Sequence, residues 1–489
     1  MKKLLNQLML CATLVFMSIS MSSCLTTMGL MLIWLDDDEP QQQQQAPVEK
    51  IYSDFKYEVT EMKRGLEDGD FINKLTMKGN GLLSYISSDP SVATIGADGK
   101  VHIVASGTTT ITAMVEDNDY YIYNQHTASY TILVVPGCTY VQYNTETQEF
   151  ETIVLTSMEQ YQPFPTPPAT GDVTLNESTK PYMVKENVTV NGNLKLEADA
   201  KIVLVDGFTL TINGAIQGGA HTLNVYGQTW QNSIGVLNVK ATNDDAIYAQ
   251  KIYLHSTYVL AETTKSDGKG IYDDNDLGIY GSIVEAKGGP GANGYGLHNN
   301  SGKMTIVSGL VSGIGGDNSN GPGGTGIAYA GADNFIVEKN SLITAQGGSV
   351  SGGLEDQAGD GLKMLNTTAN AYLVIDGGMM LLRGGRNTKR SSAYEDEKER
   401  YKYDGYGVQL RWREKTSRQW LIYKGGYFLV SYDSPSGEGG YANFTGSIKN
   451  ESGQTISFYD SEVRITLKNN STSTQSGRVT ILKIPADGW

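Results

Sequence analysis

Apolar and polar positions alternate along several short runs between about residues 55 and 135. Sequences rich in Gly, Asp, Ser or Pro, which favour turns, separate these runs. The runs are "KYEVTEM", "KVHIVA", "TTTITAMV" and "SYTILVV", and the separators are "EDGD", "SSDP", "ADGK" and "ASGT". Short strands in which every second residue is apolar, separated by turn-forming sequences, predict a β-sandwich over residues 51–136. We expect its interior to contain Val92, Ile103, Ile111 and Ala113.

A different pattern begins after the connector "YQPFPTPPATGD" and repeats along the chain. Blocks of about thirteen residues place apolar or small residues at their first, third, eighth and tenth positions. The copies are "IYLHSTYVLAETT" (252–264), "LGIYGSIVEAKGG" (277–289), "MTIVSGLVSGIGG" (304–316), "FIVEKNSLITAQGG" (335–348), "LVIDGGMMLLRGG" (373–385) and "LIYKGGYFLVSYD" (421–433). Two period-two pairs around a small or polar bend predict two short strands with a corner between them.

A third short strand precedes most of these blocks. Its copies are "AIYA", "GIYD", "GLHN", "GIAY", "GLKM" and "GVQL". Strands this short bury an apolar face only if successive coils stack around a shared axis. The pattern therefore predicts a right-handed parallel β-helix over residues 181–433. Residues 137–180 are expected to form a connector and an N-terminal cap, and residues 434–489 a cap of antiparallel β-strands.

The first module also carries a family resemblance. The segment "SSDPSVATIGADGKVHIVASGTTTITA" resembles bacterial Ig-like domains of group 2, in which a Ser-Asp-Pro turn, a Val-Ala-Thr strand, an Asp-Gly turn and a Gly-Thr-Thr-Thr-Ile-Thr-Ala strand recur in that order. This resemblance implies a spacer or adhesion module and no enzyme. We expect His102 and His126 to be structural residues without an acidic partner.

The repetitive region resembles solenoid domains labelled carbohydrate-binding in bacterial surface proteins. The residues that carry this likeness are "ATNDDAIYAQKIYL" and "SDGKGIYDDNDLGIYGSIVEA". The likeness covers about residues 180–430 and implies a parallel β-helix there. The fold class expected for the chain is therefore all-β, an Ig-like β-sandwich followed by a parallel β-helix. It also implies a glycan as the partner of the solenoid.

Insertions between successive coils lengthen toward the C-terminus, and recognition residues of repeat proteins often lie on such insertions. The longest insertion and the coil that follows it are rich in aromatic residues, whose faces can stack on sugar rings. The candidate carbohydrate-binding residues are Tyr401, Tyr403, Tyr406, Trp412 and Trp420. The alternative is that Trp412 and Tyr423 cap the apolar axis and that the charged insertion is a solvated loop.

Aspartates recur in the turns of two adjacent coils. Because Ca²⁺ takes six to eight oxygen ligands, carboxylates repeated along a solenoid edge could supply several of them. The candidates for Ca²⁺ are Asp244, Asp245, Asp273, Asp274 and Asp276. The alternative is that these side chains satisfy backbone groups of the turns. No other cofactor is predicted.

The N-terminus has the composition of a secretory signal peptide, with two lysines, an apolar run and then "MSSC". "MSSC" resembles a bacterial lipobox, which implies that residues 1–24 are a lipoprotein signal peptide and that Cys24 is lipidated. Residues 25–50, acidic and then rich in Gln, predict a disordered tether. The expected location is the outer membrane, with the lipid anchor as membrane partner and the protein exposed at the cell surface. An uncleaved anchor over residues 8–35 remains the alternative.

The formal net charge of −15 argues against a nucleic-acid partner, because no excess of Lys and Arg replaces the phosphate counterions. The function expected from the sequence is that of a non-enzymatic surface protein that binds a glycan or another cell-surface ligand. One alternative is a polysaccharide lyase or hydrolase that uses Asp273 and Asp276 near His298. The other alternative is a purely structural or protein-binding module.

Overall fold

The structure is a computed structural model that describes residues 50–157, 159–229, 235–365 and 373–393, and the backbone of four further strand segments, 408–410, 419–431, 442–444 and 447–450. The predicted signal peptide with Cys24 and the predicted tether up to residue 49 lie outside the described residues. Within the described residues, no helix is both long enough and apolar enough to span a membrane.

The first domain is a β-sandwich, as predicted. Its main sheet has the strand order β3, β11, β9, β6, and a second sheet has the order β4, β8, β7. The strands are β1 (Ile51–Ser53), β2 (Lys56–Tyr57), β3 (Glu61–Gly65), β4 (Phe71–Ile72), β5 (Leu75–Thr76), β6 (Leu83–Ser87), β7 (Ala93–Ile95), β8 (Lys100–Ile103), β9 (Gly107–Val115), β10 (Tyr121–Tyr123) and β11 (Thr127–Val135). All four predicted interior residues are buried, namely Val92, Ile103, Ile111 and Ala113.

The two histidines of this domain do have acidic partners, so the expectation that they lack one is wrong. His102 Nδ1 lies 2.8 Å from Asp70 Oδ1, and His126 Nε2 lies 3.0 Å from Asp117 Oδ1. Both pairs are at the surface. The folding of the sheets brings together residues that are separated in the sequence.

A β-hairpin follows the sandwich, formed by β12 (Cys138–Asn144) and β13 (Glu149–Leu155). The remaining strands are β14 (Gln162–Pro163), β15 (Val173–Leu175), β16 (Tyr182–Val184), β17 (Val188–Val190), β18 (Leu194–Leu196), β19 (Ala200–Leu204), β20 (Thr209–Ile212), β21 (Ile216–Gln217), β22 (Thr222–Tyr226), β23 (Val236–Ala241), β24 (Ile247–His255), β25 (Tyr258–Thr263), β26 (Ile271–Tyr280), β27 (Ile283–Lys287), β28 (Leu297–Asn299), β29 (Met304–Val307), β30 (Leu310–Ile314), β31 (Ile327–Tyr329), β32 (Phe335–Glu338), β33 (Leu342–Gln346), β34 (Leu362–Met364), β35 (Leu373–Arg383), β36 (Val408–Leu410), β37 (Gln419–Ser431), β38 (Ala442–Phe444) and β39 (Ser447–Asn450). One short helix, α1 (Thr388–Ala393), follows β35.

These strands form three parallel ladders, which is the architecture of a parallel β-helix. Ladder A contains β15, β18, β21, β28, β31, β34, β36, β38 and the first halves of β24 and β26. Ladder B contains β14, β16, β19, β22, β29, β32, β39, the second halves of β24 and β26, and the first halves of β35 and β37. Ladder C contains β17, β20, β23, β25, β27, β30, β33 and the second halves of β35 and β37.

The apolar positions of the repeated blocks face the common axis, as predicted. In the blocks 252–264, 277–289 and 373–385, the first, third, eighth and tenth positions all belong to one continuous core. Its members include Ile252, Leu254, Val259, Ala261, Leu277, Ile279, Val284, Ala286, Leu373, Ile375, Met380 and Leu382. Each of these residues is at most 2% exposed.

The coils lengthen along the chain, as the insertions suggest. The length of a coil is given by the sequence separation of turn residues that hydrogen-bond to each other from adjacent coils. This separation is 22 residues for Asn213 and Asn191, 26 for Asn293 and Asp267, and 37 for Arg386 and Ser349. Glycines allow the longer turns to stack in close contact. A Cβ atom added to Gly316 would lie 1.7 Å from the carbonyl oxygen of Gly289.

The hairpin lies on the outer face of ladder B. Tyr140 contacts Tyr226, with ring centroids 4.6 Å apart, and Tyr143 stacks on Tyr280 at 4.8 Å. The backbone N–H of Tyr143 donates to Nδ1 of His255. The segment predicted as a connector is therefore a cover for one side of the solenoid.

The described end of the chain continues the solenoid. Strand β38 pairs in parallel with β36, and β39 pairs in parallel with β37. The prediction of antiparallel strands after residue 433 is wrong for these two segments, because their register follows that of the preceding coils. Residues 451–489 lie outside the described residues.

Candidate functional site

The outer face of ladder A presents a polar and aromatic column. The strand register aligns one outward residue from each coil in this column. In chain order the column contains Lys195, Gln217, Tyr248, Tyr272, His298, Ala328 and Lys363. Because neighbouring strands in a ladder are about 4.8 Å apart, planar side chains at this position can stack face to face.

Three rings of the column do stack. The centroids of Tyr248 and Tyr272 are 5.1 Å apart with an interplanar angle of 22°, and those of Tyr272 and His298 are 5.0 Å apart at 10°. Tyr295 contacts the edge of this stack at His298. Since Tyr272 covers one face of Tyr248, the other face is directed toward Gln217.

A cavity of about 430 Å³ opens beside Tyr248 and Gln217. Strand β21 has only two residues, and Gly219, which follows it, also lines the cavity; no atom lies within 4 Å of a Cβ added to this glycine. Five polar residues also line the cavity, namely Lys195, Glu197, Gln217, Asp244 and Asp245. The volume falls within the range of small-ligand sites, roughly 300–1,000 Å³.

Hydrogen bonds within the protein fix several of these polar groups. Gln217 Nε2 donates to Asp244 Oδ2 over 2.9 Å, and the backbone N–H of Lys269 donates to Asp245 Oδ1 over 2.8 Å. Lys195 Nζ forms an ion pair with Asp172 at 2.6 Å. The wall therefore offers carboxylate acceptors and amide and ammonium groups in a defined arrangement.

Asp274 holds the two tyrosines of the column. The hydroxyl of Tyr248 donates to Asp274 Oδ2 over 2.5 Å, and that of Tyr272 donates to Oδ1 over 2.8 Å. The hydrogen bond to Asp274 raises the pKa of Tyr248 to about 12, so its hydroxyl is neutral at physiological pH. Burial lowers the pKa of His298 to about 4, so its imidazole is neutral as well.

The five predicted Ca²⁺ ligands lie in different environments. Asp244 and Asp245 line the cavity, Asp274 binds the tyrosines, and Asp276 pairs with Lys251 at 3.1 Å on the outside of ladder B. Asp273 is fully buried and accepts a hydrogen bond from Asn299. The described part of the chain contains no group of three or more His, Cys, Asp or Glu side chains placed to hold a metal ion. A Ca²⁺ site stays a prediction.

The three residues of the lyase or hydrolase alternative also lie in different parts of the solenoid wall. Asp273 lies inside the wall of the solenoid, where burial raises its pKa well above the usual range for aspartate. His298 lies in the outer column of ladder A, whereas Asp276 faces outward from ladder B. These residues therefore do not share one open groove.

The aromatic patch predicted for carbohydrate binding falls on residues whose side chains the structure does not describe. Tyr401, Tyr403, Tyr406 and Trp412 lie outside the described residues, and Trp420 belongs to β37, of which only the backbone is described. Sequence reasoning missed Tyr248 and Tyr272, and it named His298 only for the lyase or hydrolase alternative. The signal was nevertheless present, because these residues occupy the same position in "AIYA", "GIYD" and "GLHN".

Comparison with known proteins informs the first domain alone. A family model described as the intimin immunoglobulin-like domain matches residues 72–117, from strand β4 to just beyond β9. Searches of curated proteins and of solved structures found no match. The family match supports a bacterial Ig-like domain and, with it, a bacterial cell-surface module of the adhesion type.

Proposed function

We propose that this protein is a non-enzymatic, lipid-anchored protein of the bacterial cell surface whose β-helix binds a glycan at the Tyr248 cavity. The observation that supports this most is that Tyr248 lines a cavity whose wall also carries polar groups held by hydrogen bonds. A sugar presents an apolar face of C–H groups, which stacks on an aromatic ring, and a rim of hydroxyls, which bond to carboxylates and amides. The Ig-like domain would then position the solenoid away from the membrane.

Native affinity electrophoresis of the full chain tests glycan binding. The gels contain members of a panel of host and bacterial polysaccharides, and the chain is compared with Tyr248→Ala. We expect at least one polysaccharide to retard the parent chain and Tyr248→Ala to lose most of the retardation. Tyr120→Ala, at an exposed tyrosine of the Ig-like domain, is the matched control and is expected to migrate like the parent. Equal retardation of all three chains would exclude the Tyr248 cavity.

The same gels separate binding from catalysis. Staining for polysaccharide after the run is expected to show no loss around the protein band. Clearing of the polysaccharide would instead support the lyase or hydrolase alternative, and Asp276→Asn would then be the first variant to assay. Neither retardation nor clearing with any polymer would favour the structural or protein-binding alternative.

We also propose that the chain is anchored through a lipid on Cys24. Growth of an expressing bacterium with an alkyne fatty acid, followed by fluorophore coupling, tests this directly. Label is expected on the parent chain and absent from Cys24→Ala. Label on neither chain, with both in the membrane fraction, would favour the uncleaved anchor.

A further inference from the structure

The outer face of ladder C presents an apolar column. The strand register aligns one outward residue from each of six successive coils. In chain order these residues are Val236, Tyr258, Ile283, Leu310, Leu342 and Met379. None of the six is buried, and Leu310 near the middle is the most open, at 38% exposure. One strand of ladder C from one coil is called a rung. Six consecutive rungs therefore each present an outward apolar residue on this side of the solenoid.

The outer faces of the other two ladders differ from that of ladder C in composition or in exposure. The outward column of ladder A is polar and aromatic, as described above. Ladder B does carry an outward apolar column, including Val203, Tyr226 and Tyr280, but the β12–β13 hairpin covers it and these residues are buried. Of the two apolar columns, only that of ladder C stays open in the part of the chain that the structure describes.

The ladder C face is complementary to itself about Leu310. Consider a second copy placed face to face with its solenoid axis reversed, so that the two-fold axis passes through the Leu310 rung. Each rung then meets the rung equally far on the other side. Ile283 meets Leu342, Tyr258 meets Met379, and Leu310 meets its own counterpart.

The columns beside the apolar one agree with the same arrangement. Leu260 and Leu381 lie in the same outward column, two rungs before and two rungs after the Leu310 rung, and would meet each other. Glu262 and Arg383 occupy the equivalent rungs of the next outward column, at the edge of the face. Leu260 and Leu381 would therefore meet as an apolar pair. Glu262, which also pairs with Lys240, would lie opposite Arg383 of the second copy, as an isologous interface allows.

We propose that two copies of this chain associate through the outer faces of ladder C in this antiparallel register. The strip is roughly 30 Å long and 15 Å wide, from six rungs of about 4.8 Å and five-residue strands of about 3.3 Å per residue. Two copies then cover on the order of 900 Å² in total, near the lower limit of about 1,000 Å² for specific interfaces. The dimer is accordingly weak and depends on protein concentration.

Sedimentation velocity of the full chain between about 1 and 200 µM tests the dimer. We expect a monomer–dimer equilibrium within this range, and Leu310→Lys is expected to weaken dimerisation at least tenfold because it places two ammonium groups at the two-fold axis. The control is Met114→Lys on the Ig-like domain, since Met114 has the same 38% exposure and lies on another surface. Circular dichroism checks that both variants are folded. A chain that is monomeric at every concentration, or a dimer equally strong in Leu310→Lys, would overturn the proposal.

A charge exchange tests the register. Glu262→Arg places two arginines opposite each other, and Arg383→Glu places two glutamates opposite each other, so each single variant is expected to weaken the dimer several-fold. The double variant restores opposite charges and is expected to recover most of the parent affinity. If the loss of dimer affinity in the double variant equals the losses of the two single variants combined, the antiparallel register is rejected.

Discussion

Arg64 of the Ig-like domain and Asp206 of the solenoid form a buried ion pair, with Nη2 and Oδ2 3.1 Å apart. The guanidinium also lies 3.5 Å from Asp68, donates to the hydroxyl of Thr229 over 2.6 Å and covers the ring of Phe71. Both side chains of the ion pair are at most 2% exposed. The two folds are thus joined by a solvent-excluded polar network, which makes the Ig-like domain part of one assembly with the β-helix.

Removal of the Arg64 charge is expected to destabilise the chain strongly. Arg64→Met leaves Asp206 buried without its ion pair, and loss of one partner of a buried pair costs about 3–5 kcal/mol. Urea unfolding measures the change in the free energy of unfolding. The exposed neighbour provides the control, since Lys63→Met is expected to change stability by less than about 0.5 kcal/mol. Similar values for the two variants would show that the network contributes little.

His255 is expected to make stability depend on pH. It is 5% exposed between Tyr226 and Tyr280, and burial lowers its pKa to about 3. Its folded-state pKa is below the unfolded value of about 6.5, so between these values the unfolded chain binds more protons and stability falls as pH falls. This residue alone is expected to cost about 2 kcal/mol at pH 5 relative to pH 7.

The matched variant for that prediction is His255→Asn, whose side-chain oxygen can still accept the hydrogen bond from the Tyr143 backbone N–H. Urea unfolding of the parent and the variant at pH 7 and pH 5 gives the two pH dependences. The parent is expected to lose about 2 kcal/mol more than the variant. Equal losses would mean that His255 binds its proton with similar affinity in both states.

Periodicity predicted the solenoid well because the pattern is local. Every coil places its own apolar residues inward, so Ile252 and Leu254 are identifiable from spacing alone. The cover of ladder B was not identifiable in this way. The outward residues Tyr226 and Tyr280 are buried because the hairpin lies over them. Nothing in the sequence of the hairpin specifies where it packs.

Prediction of the candidate site would have required the strand register between coils of unequal length. Tyr248 and Tyr272 stack because the ladder aligns them, although they lie 24 residues apart in the chain and His298 follows 26 residues after Tyr272. The same holds for Arg64, a single arginine in an ordinary strand, whose partners Asp206 and Thr229 lie more than 100 residues away. Such contacts depend on tertiary placement and leave no periodic signal.

The glycine contacts between long turns are expected to be intolerant of any side chain. In Gly316→Ala the new Cβ would lie 1.7 Å from the carbonyl oxygen of Gly289, so the stacked backbones must move apart. We expect a loss of about 3 kcal/mol, at the upper end of the range for overpacking. The control is Gly219→Asn, because no atom lies within 4 Å of that Cβ position and Asn tolerates its φ of 54°. Equal thermal unfolding midpoints for the two variants would contradict a close-packed turn stack.

Asp274 is expected to support glycan binding by orienting Tyr248. Asp274→Asn replaces a charged acceptor of two tyrosine hydroxyls with a neutral amide, which weakens both hydrogen bonds and lets the Tyr248 ring move. With a polysaccharide identified by electrophoresis, calorimetric titration is expected to show a five- to tenfold loss of affinity. Glu285→Gln changes a similar carboxylate, which accepts from the Tyr258 hydroxyl over 2.8 Å on ladder C, and is expected to leave affinity unchanged. If both variants bind like the parent, the orientation of Tyr248 does not limit binding, and contacts from the polar wall of the cavity dominate instead.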